Sequence, residues 1–174
     1  RAIMPDKNYR IVCVISGPEP QRSILERELM RLLPAIPGEH LIVRGMPGPV
    51  PDERRGHVRS IGHLADDALT GALLGADLIV GRTGYSTVMD LERIGRTALL
   101  VPTPGQPEQE YLGRLHKDNG RFIVQVQGEL DIAAALESRV AGTRIPTTRD
   151  SGERQLDVAM KELAGLLPGR CSGT

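Results

Sequence analysis

Three stretches of this 174-residue chain place glycine, hydroxyl and carboxylate residues at spacings that suit an anionic, hydroxyl-rich ligand. The first is Ser16-Gly17-Pro18-Glu19-Pro20-Gln21, which leaves an apolar run and enters a helical pattern. Backbone N–H groups at such a helix start can hold an anion. A plain strand-to-helix turn with proline at the helix start accounts for the same residues. The second is Arg82-Thr83-Gly84-Tyr85-Ser86-Thr87-Val88-Met89-Asp90. Helical spacing puts Thr83, Ser86, Thr87 and Asp90 on one stripe. Small residues at the start let a phosphate approach bare N–H groups, and a carboxylate further on can accept two hydrogen bonds from a ribose diol. The alternative is a helix capped by Thr83, with Asp90 merely solvated. The third is Pro102-Thr-Pro-Gly-Gln-Pro-Glu-Gln-Glu-Tyr111. Pro107 suits a first helical turn, which sets Glu108 and Gln109 at the helix start. Glu accepts and Gln both donates and accepts, a pair fitted to sugar hydroxyls. Alternatively, Glu108 simply complements the helix dipole.

Other chemistries are absent. The first loop has one glycine and is not Gly-x-Gly-x-x-Gly, which disfavours a dinucleotide-binding oxidoreductase. It also lacks the Gly-Lys-Ser/Thr of a phosphate-loop NTPase. His40, His57, His63 and His116 are scattered, with no metal-ligand spacing, so neither a metal nor a cofactor is expected. The two cysteines read as a buried thiol, Cys13, and a free tail thiol, Cys171, in a reducing compartment.

The elements that must carry these loops alternate. Residues 10–16 form a β-branched strand, and residues 20–33 carry Leu25, Leu29, Leu32 and Leu33 on one helical face before Pro34. Further strands are expected at 41–43, 57–61, 77–81, 97–102 and 122–126. Helices are expected at 66–74, 84–94, 107–119, 132–140 and 152–167. The proline-rich stretch 45–54 reads as a loop. Alternation of this kind implies a doubly wound, Rossmann-like parallel sheet of about six strands. With the common order 3-2-1-4-5-6, strands 1, 4 and 5 are neighbours, and the three polar loops follow those strands. In such sheets the ligand sits beyond the carboxyl ends of the strands near the switch in order. Residues 1–9 read as a linker, 10–168 as the domain and 169–174 as a tail.

Lys+Arg and Asp+Glu are both 22, so the net charge is zero and gives no general attraction to nucleic acid or an anionic membrane. Aromatic residues are 2%, too few for single-strand stacking. No apolar run approaches the roughly 20 residues of a membrane span. The first residues show no signal-peptide pattern, and the chain starts at Arg1 without an initiator Met, which reads as a piece of a longer protein.

The run Ala76–Asp90, with Gly95, Leu99–Pro102 and Glu108-Gln109, resembles the C-terminal domain of GT-B glycosyltransferases, most closely glycosyltransferase family 28. The likeness spans roughly 10–140. It implies a UDP-sugar donor, most simply UDP-GlcNAc, bound as substrate. It assigns Ser16, Gly17, Gly84, Tyr85, Ser86 and Thr87 to the diphosphate and Asp90 to the ribose, where the family usually has Glu. Glu108 and Gln109 fall to the sugar, and His63 and Leu64 lie next to the base. The family's first loop is glycine-rich. Here it reads Pro18-Glu19-Pro20, so Glu19 must point away from a diphosphate, and Arg82 or Arg22 is left to supply positive charge. The resemblance also implies an N-terminal acceptor domain, in the same chain or as a partner subunit. It implies inverting transfer of a hexosamine in the cytoplasm, with a peripheral membrane acceptor. No residue here reads as the catalytic base. Two rivals share the donor site: half of a UDP-GlcNAc 2-epimerase, and a non-catalytic nucleotide-sugar-binding module.

Overall fold

The computed structural model describes residues 3–140, apart from Lys7, Pro47 and Pro49. Its strands are β1 (Ile11–Val14), β2 (His40–Val43), β3 (Glu53–Arg55), β4 (Val58–Ile61), β5 (Leu78–Gly81), β6 (Leu99–Leu100) and β7 (Ile123–Val124). The helices are α1 (Gln21–Leu32), α2 (Asp66–Gly75), α3 (Tyr85–Arg93), α4 (Pro107–Asp118) and α5 (Ile132–Val140), with a 3-10 turn at Leu33–Ala35. The expected helix at 152–167, the tail and Cys171 lie outside the described residues.

The sheet runs β3-β4-β2-β1-β5-β6-β7. Without β3, this is the expected 3-2-1-4-5-6 order, and every pair in it is parallel. The seventh strand joins the roughly six expected and corrects the reading of 45–54 as loop throughout. Glu53–Arg55 pairs antiparallel with β4, inside and just beyond the stretch read as a loop. Its three side chains are exposed and charged, so no apolar alternation marks it. Ladder bonds to β4 hold it, helped by ion pairs Arg59–Asp52 at 2.7 Å and Arg54–Glu39 at 2.9 Å. A short charged edge of this kind discourages pairing with another chain.

Successive residues of each strand serve opposite faces. Ile11, Cys13, Ile42, Leu78, Val80 and Leu99 pack with Leu25, Leu29, Ile132 and Leu136, so α1 and α5 cover one face. Val12, Leu41, Val43, Ile79 and Leu100 pack with Ala72, Val88, Leu91, Leu112 and Phe122, so α2, α3 and α4 cover the other. Burial on both sides explains why the strands read as continuous apolar runs. It also pushes the Cys13 thiol far above its ordinary range, which leaves it unreactive. Residues 3–6, read as linker, lie against α2: Asp6 N–H donates to Gly71 O at 2.8 Å. No helix among the described residues is long and apolar enough to cross a membrane.

Candidate functional site

The carboxyl ends of β1, β5 and β6 lie side by side, and the three polar loops leave from them. Their contacts make one rim. Gly17, at φ +107°, sets the first loop beside the third, where a Cβ would make an ordinary 3.7 Å contact with Thr103 Oγ1. Non-glycine residues rarely adopt that φ. Thr103 in turn donates its N–H and Oγ1–H to Gln109 Oε1 at 3.1 and 2.9 Å. Thr83 Oγ1 donates to Gln109 O at 2.8 Å, joining the second loop to α4. Gly113 completes the fit, because a Cβ on it would fall 2.6 Å from Pro102 Cγ.

The second loop opens α3 with Gly84 at the N-cap. Gly84 has no side chain to cap this helix, and no acidic residue stands in its first turn. Its first N–H groups are therefore available to an anion. Ser86 and Asp90 are exposed, and Tyr85 and Thr87 half-buried. Thr83 is neither on that stripe nor a cap. It lies before the helix, fully buried, with its hydroxyl spent on Gln109.

The first loop differs. Glu19 accepts the Ser23 N–H at 3.2 Å and the Ser23 hydroxyl at 3.0 Å, which fills the first turn of α1. Arg22 Nε donates to the same carboxylate at 3.1 Å. These bonds, from Arg22 first, hold the Glu19 carboxyl below its usual range. Glu19 thus points into its own helix start, and Arg22 is engaged with it. Ser16 and Gly17 remain exposed at the loop's tip.

Arg82 is not at the surface. It is 1% exposed, and its guanidinium is ringed by Val101 O, Pro102 O, Gln21 O and the side chain of Gln127. Burial lowers its pKa to about 10, partly countered by Glu28, so it stays charged at neutral pH. Glu28 is itself buried and accepts the N–H groups of Gly128 and Leu130 at 2.9 and 3.3 Å.

On α4, Glu108 is exposed, while Gln109 is half-buried and bonds Thr103 and Gln106. His63 is exposed and Leu64 half-buried beyond the end of β4. Leu64 and Tyr85 pack on the same apolar cluster, which connects the loop after β4 to the start of α3. A separate groove of about 640 Å³ lies between α1 and the β3 hairpin, lined by Ser23, Glu26, Arg27, Arg44 and Arg55 among others, and contains none of the expected site residues. Among the described residues no group of His, Cys, Asp and Glu is arranged to hold a metal.

The sequence reading missed the buried set of Arg82, Gln127, Gln21 and Glu28. The available signal was an arginine placed directly after the apolar run Leu78–Gly81, where a charge must find partners. Nothing marks Gln127.

Residues 65–143 match the glycosyltransferase family 28 C-terminal domain. The chain is 50% identical over 64 residues to a UDP-N-acetylglucosamine–N-acetylmuramyl-(pentapeptide) pyrophosphoryl-undecaprenol N-acetylglucosamine transferase of Methylorubrum extorquens, covering 37% of this chain and 16% of that protein. It is 33% identical over 108 residues to the transferase of the same name from Nitrobacter hamburgensis, covering 53% and 29% respectively. The matched regions therefore span less than a third of those relatives' lengths. Among solved structures, a glycotransferase of kitacinnamycin superposes with a TM-score of 0.60 at 13% identity, covering 92% of this chain and 40% of the other. The glycosyltransferase SnogD from Streptomyces nogalater gives 0.54 at 17% identity, covering 94% and 47%. The fold is that of the C-terminal half of a GT-B glycosyltransferase.

Proposed function

We propose that this chain, which carries the family 28 C-terminal domain over residues 65–143, is the donor-binding half of an inverting glycosyltransferase that moves a hexosamine, GlcNAc by its relatives' names, from a UDP-sugar to an acceptor hydroxyl. The observation that carries this reading is the joined rim at the ends of β1, β5 and β6, with an uncapped helix start at its centre. The diphosphate takes the N–H groups of Gly84, Tyr85, Ser86 and Thr87 at α3, with Ser16 and Gly17 closing from the first loop. Asp90 accepts from the ribose diol, one exposed helical turn beyond Ser86. Glu108 accepts from sugar hydroxyls. Gln109 Oε1 is occupied by Thr103, but its amide retains an N–H beyond the one given to Gln106. His63 and Leu64 flank the base.

Helix-start N–H groups and the rim's fixed dipoles stabilise charge gathering on the leaving UDP, with no proton transfer required of this half. Deprotonation of the acceptor hydroxyl falls to a residue outside it. A preceding acceptor domain or partner subunit supplies that residue, residues 1–9 form the connection, and 10–168 form the donor domain. The relatives' names give a pyrophosphoryl-undecaprenol acceptor, which fits the further reading that the reaction takes place in the cytoplasm at the inner face of a membrane.

A thermal-shift and calorimetric series with UDP, GDP, TDP and UDP-GlcNAc tests the reading, because a ligand that binds only the folded state stabilises it by mass action. Preferential stabilisation by UDP and UDP-GlcNAc is expected. Equal, weak responses to all four contradict it.

A further inference from the structure

We infer that Arg82 is a positioning residue that sets the donor rim from beneath, and not a ligand of the diphosphate. The inference rests on the donor-site reading for its effect on binding, and on geometry alone for its effect on the loops. Arg82 directly follows β5 and is 1% exposed, so its charge does not reach the rim surface. NH2 donates to Gln21 O at 2.8 Å and to Gln127 Oε1 at 2.7 Å. NH1 donates to Val101 O at 3.3 Å and Pro102 O at 3.4 Å. These acceptors belong to the start of α1, the end of β6 and the loop after β7. Gln127 Nε2 adds a 2.7 Å bond to Gln21 Oε1, closing the ring. Thr83, the next residue, ties the same loop to α4. One dipeptide therefore fixes Gly84 relative to four neighbouring segments.

A buried guanidinium facing carbonyl oxygens is costly to desolvate, and among the described residues no carboxylate lies within ion-pair distance of it. Methionine would fill the space more cheaply for packing alone. The planar fork instead offers donors in fixed directions, which a flexible ammonium does not. That property suits a rim whose phosphate-facing N–H groups must be aligned before the ligand arrives.

The test compares wild type with Arg82→Lys and with Gln127→Ala, the latter removing one half-buried side chain at the ring's periphery. Calorimetry is run with UDP and with uridine, and amide hydrogen exchange is followed in the free proteins. For Arg82→Lys the UDP Kd should rise about tenfold, the scale of one misaligned charge-assisted bond, while uridine affinity stays within about twofold. Gln127→Ala should do the same at roughly threefold. In both variants exchange should speed up together at 16–22, 82–87 and 101–106, with the strand core still protected. Equal loss for UDP and uridine, unchanged UDP affinity, or faster exchange confined to residues next to the substitution would overturn the inference. If Arg82→Lys does not fold, Gln127→Ala decides by the same criteria. If wild type binds no UDP, the donor-site reading fails, and the exchange pattern alone decides whether Arg82 sets the loops.

Discussion

Helices α1 and α3 both begin at the rim, after adjacent strands β1 and β5, yet their first turns are opposite in character. At α1 the chain supplies its own anion. Glu19 bonds the N–H and hydroxyl of Ser23 and engages Arg22. At α3 nothing does so: Gly84 caps without a side chain, and the first turn holds no acid. A helix start attracts negative charge wherever it occurs. What makes one start available to a ligand is that the chain leaves it empty, and the same rim shows both cases. The proposed phosphate contacts should therefore be concentrated on α3, with the first loop contributing from its tip.

The largest expected effect limits where that contrast can be measured. His116 on α4 is 2% exposed, lies edge-on to Phe122 at 5.1 Å, and among the described residues finds no hydrogen-bond partner for either ring nitrogen. Burial, with a smaller push from Arg121, lowers its pKa to about 4. The unfolded chain takes up this proton near pH 6.5 and the folded chain only near pH 4. The stability it contributes is complete above about 6.5 and is lost as the pH falls towards 4. The loss is on the order of 3 kcal/mol. Denaturant melts from pH 7.5 to 4.5 should show it, and His116→Phe should flatten that slope.

Placing a carboxylate at the open start should make α3 resemble α1. Gly84 has an ordinary backbone conformation, φ −70°, and a Cβ there would meet nothing nearer than Thr87 Oγ1 at 3.8 Å. Gly84→Asp should therefore fold, and should gain a few tenths of a kcal/mol from capping. UDP affinity should fall roughly 100-fold from like-charge contact. A more stable protein that no longer binds is a result that ordinary damage does not produce.

Asp90→Ala tests the same helix one turn later. It should weaken UDP by ~1–3 kcal/mol, the scale of hydrogen bonds to a charged group, and leave the melting temperature unchanged. Unaltered affinity by calorimetry would remove Asp90 from the ribose.

The order of the six parallel strands and the rim could be read from the sequence because parallel strands buried on both faces leave unbroken apolar runs such as Ile11–Val14 and Leu78–Gly81. Polar loops between such runs stand out. Strand β3 was illegible because Glu53-Arg54-Arg55 carries no burial signal, and the backbone ladder to neighbouring β4 that holds it leaves no mark in residue type. Thr83 and Gln109 were legible as polar residues at the rim, but not in direction. Both side chains turn inward to bond other loops, which depends on the spacing of β5, β6 and α4. Arg82 was noticed as a cation, while its buried role depends on Gln127, 45 residues away.

The smallest effect comes from the closed start. Glu19→Gln removes the internal anion of α1 and releases Arg22. It should lower the melting temperature slightly, through the lost bonds to Ser23. UDP affinity at low salt should rise about threefold as a second positive helix end opens near the rim, and the gain should fade as salt screens it. A fall in affinity would show that Glu19 shapes the binding loop and does not merely fill a helix end.

The most direct test is a titration of the ¹⁵N-labelled chain with UDP, followed by amide chemical shifts. The account predicts saturable shifts at Gly84, Tyr85, Ser86 and Thr87, with weaker ones at Ser16 and Gly17 and almost none at Arg22 and Ser23. Shifts centred on Arg22 and Ser23, or no saturable change at Gly84–Thr87, would contradict it.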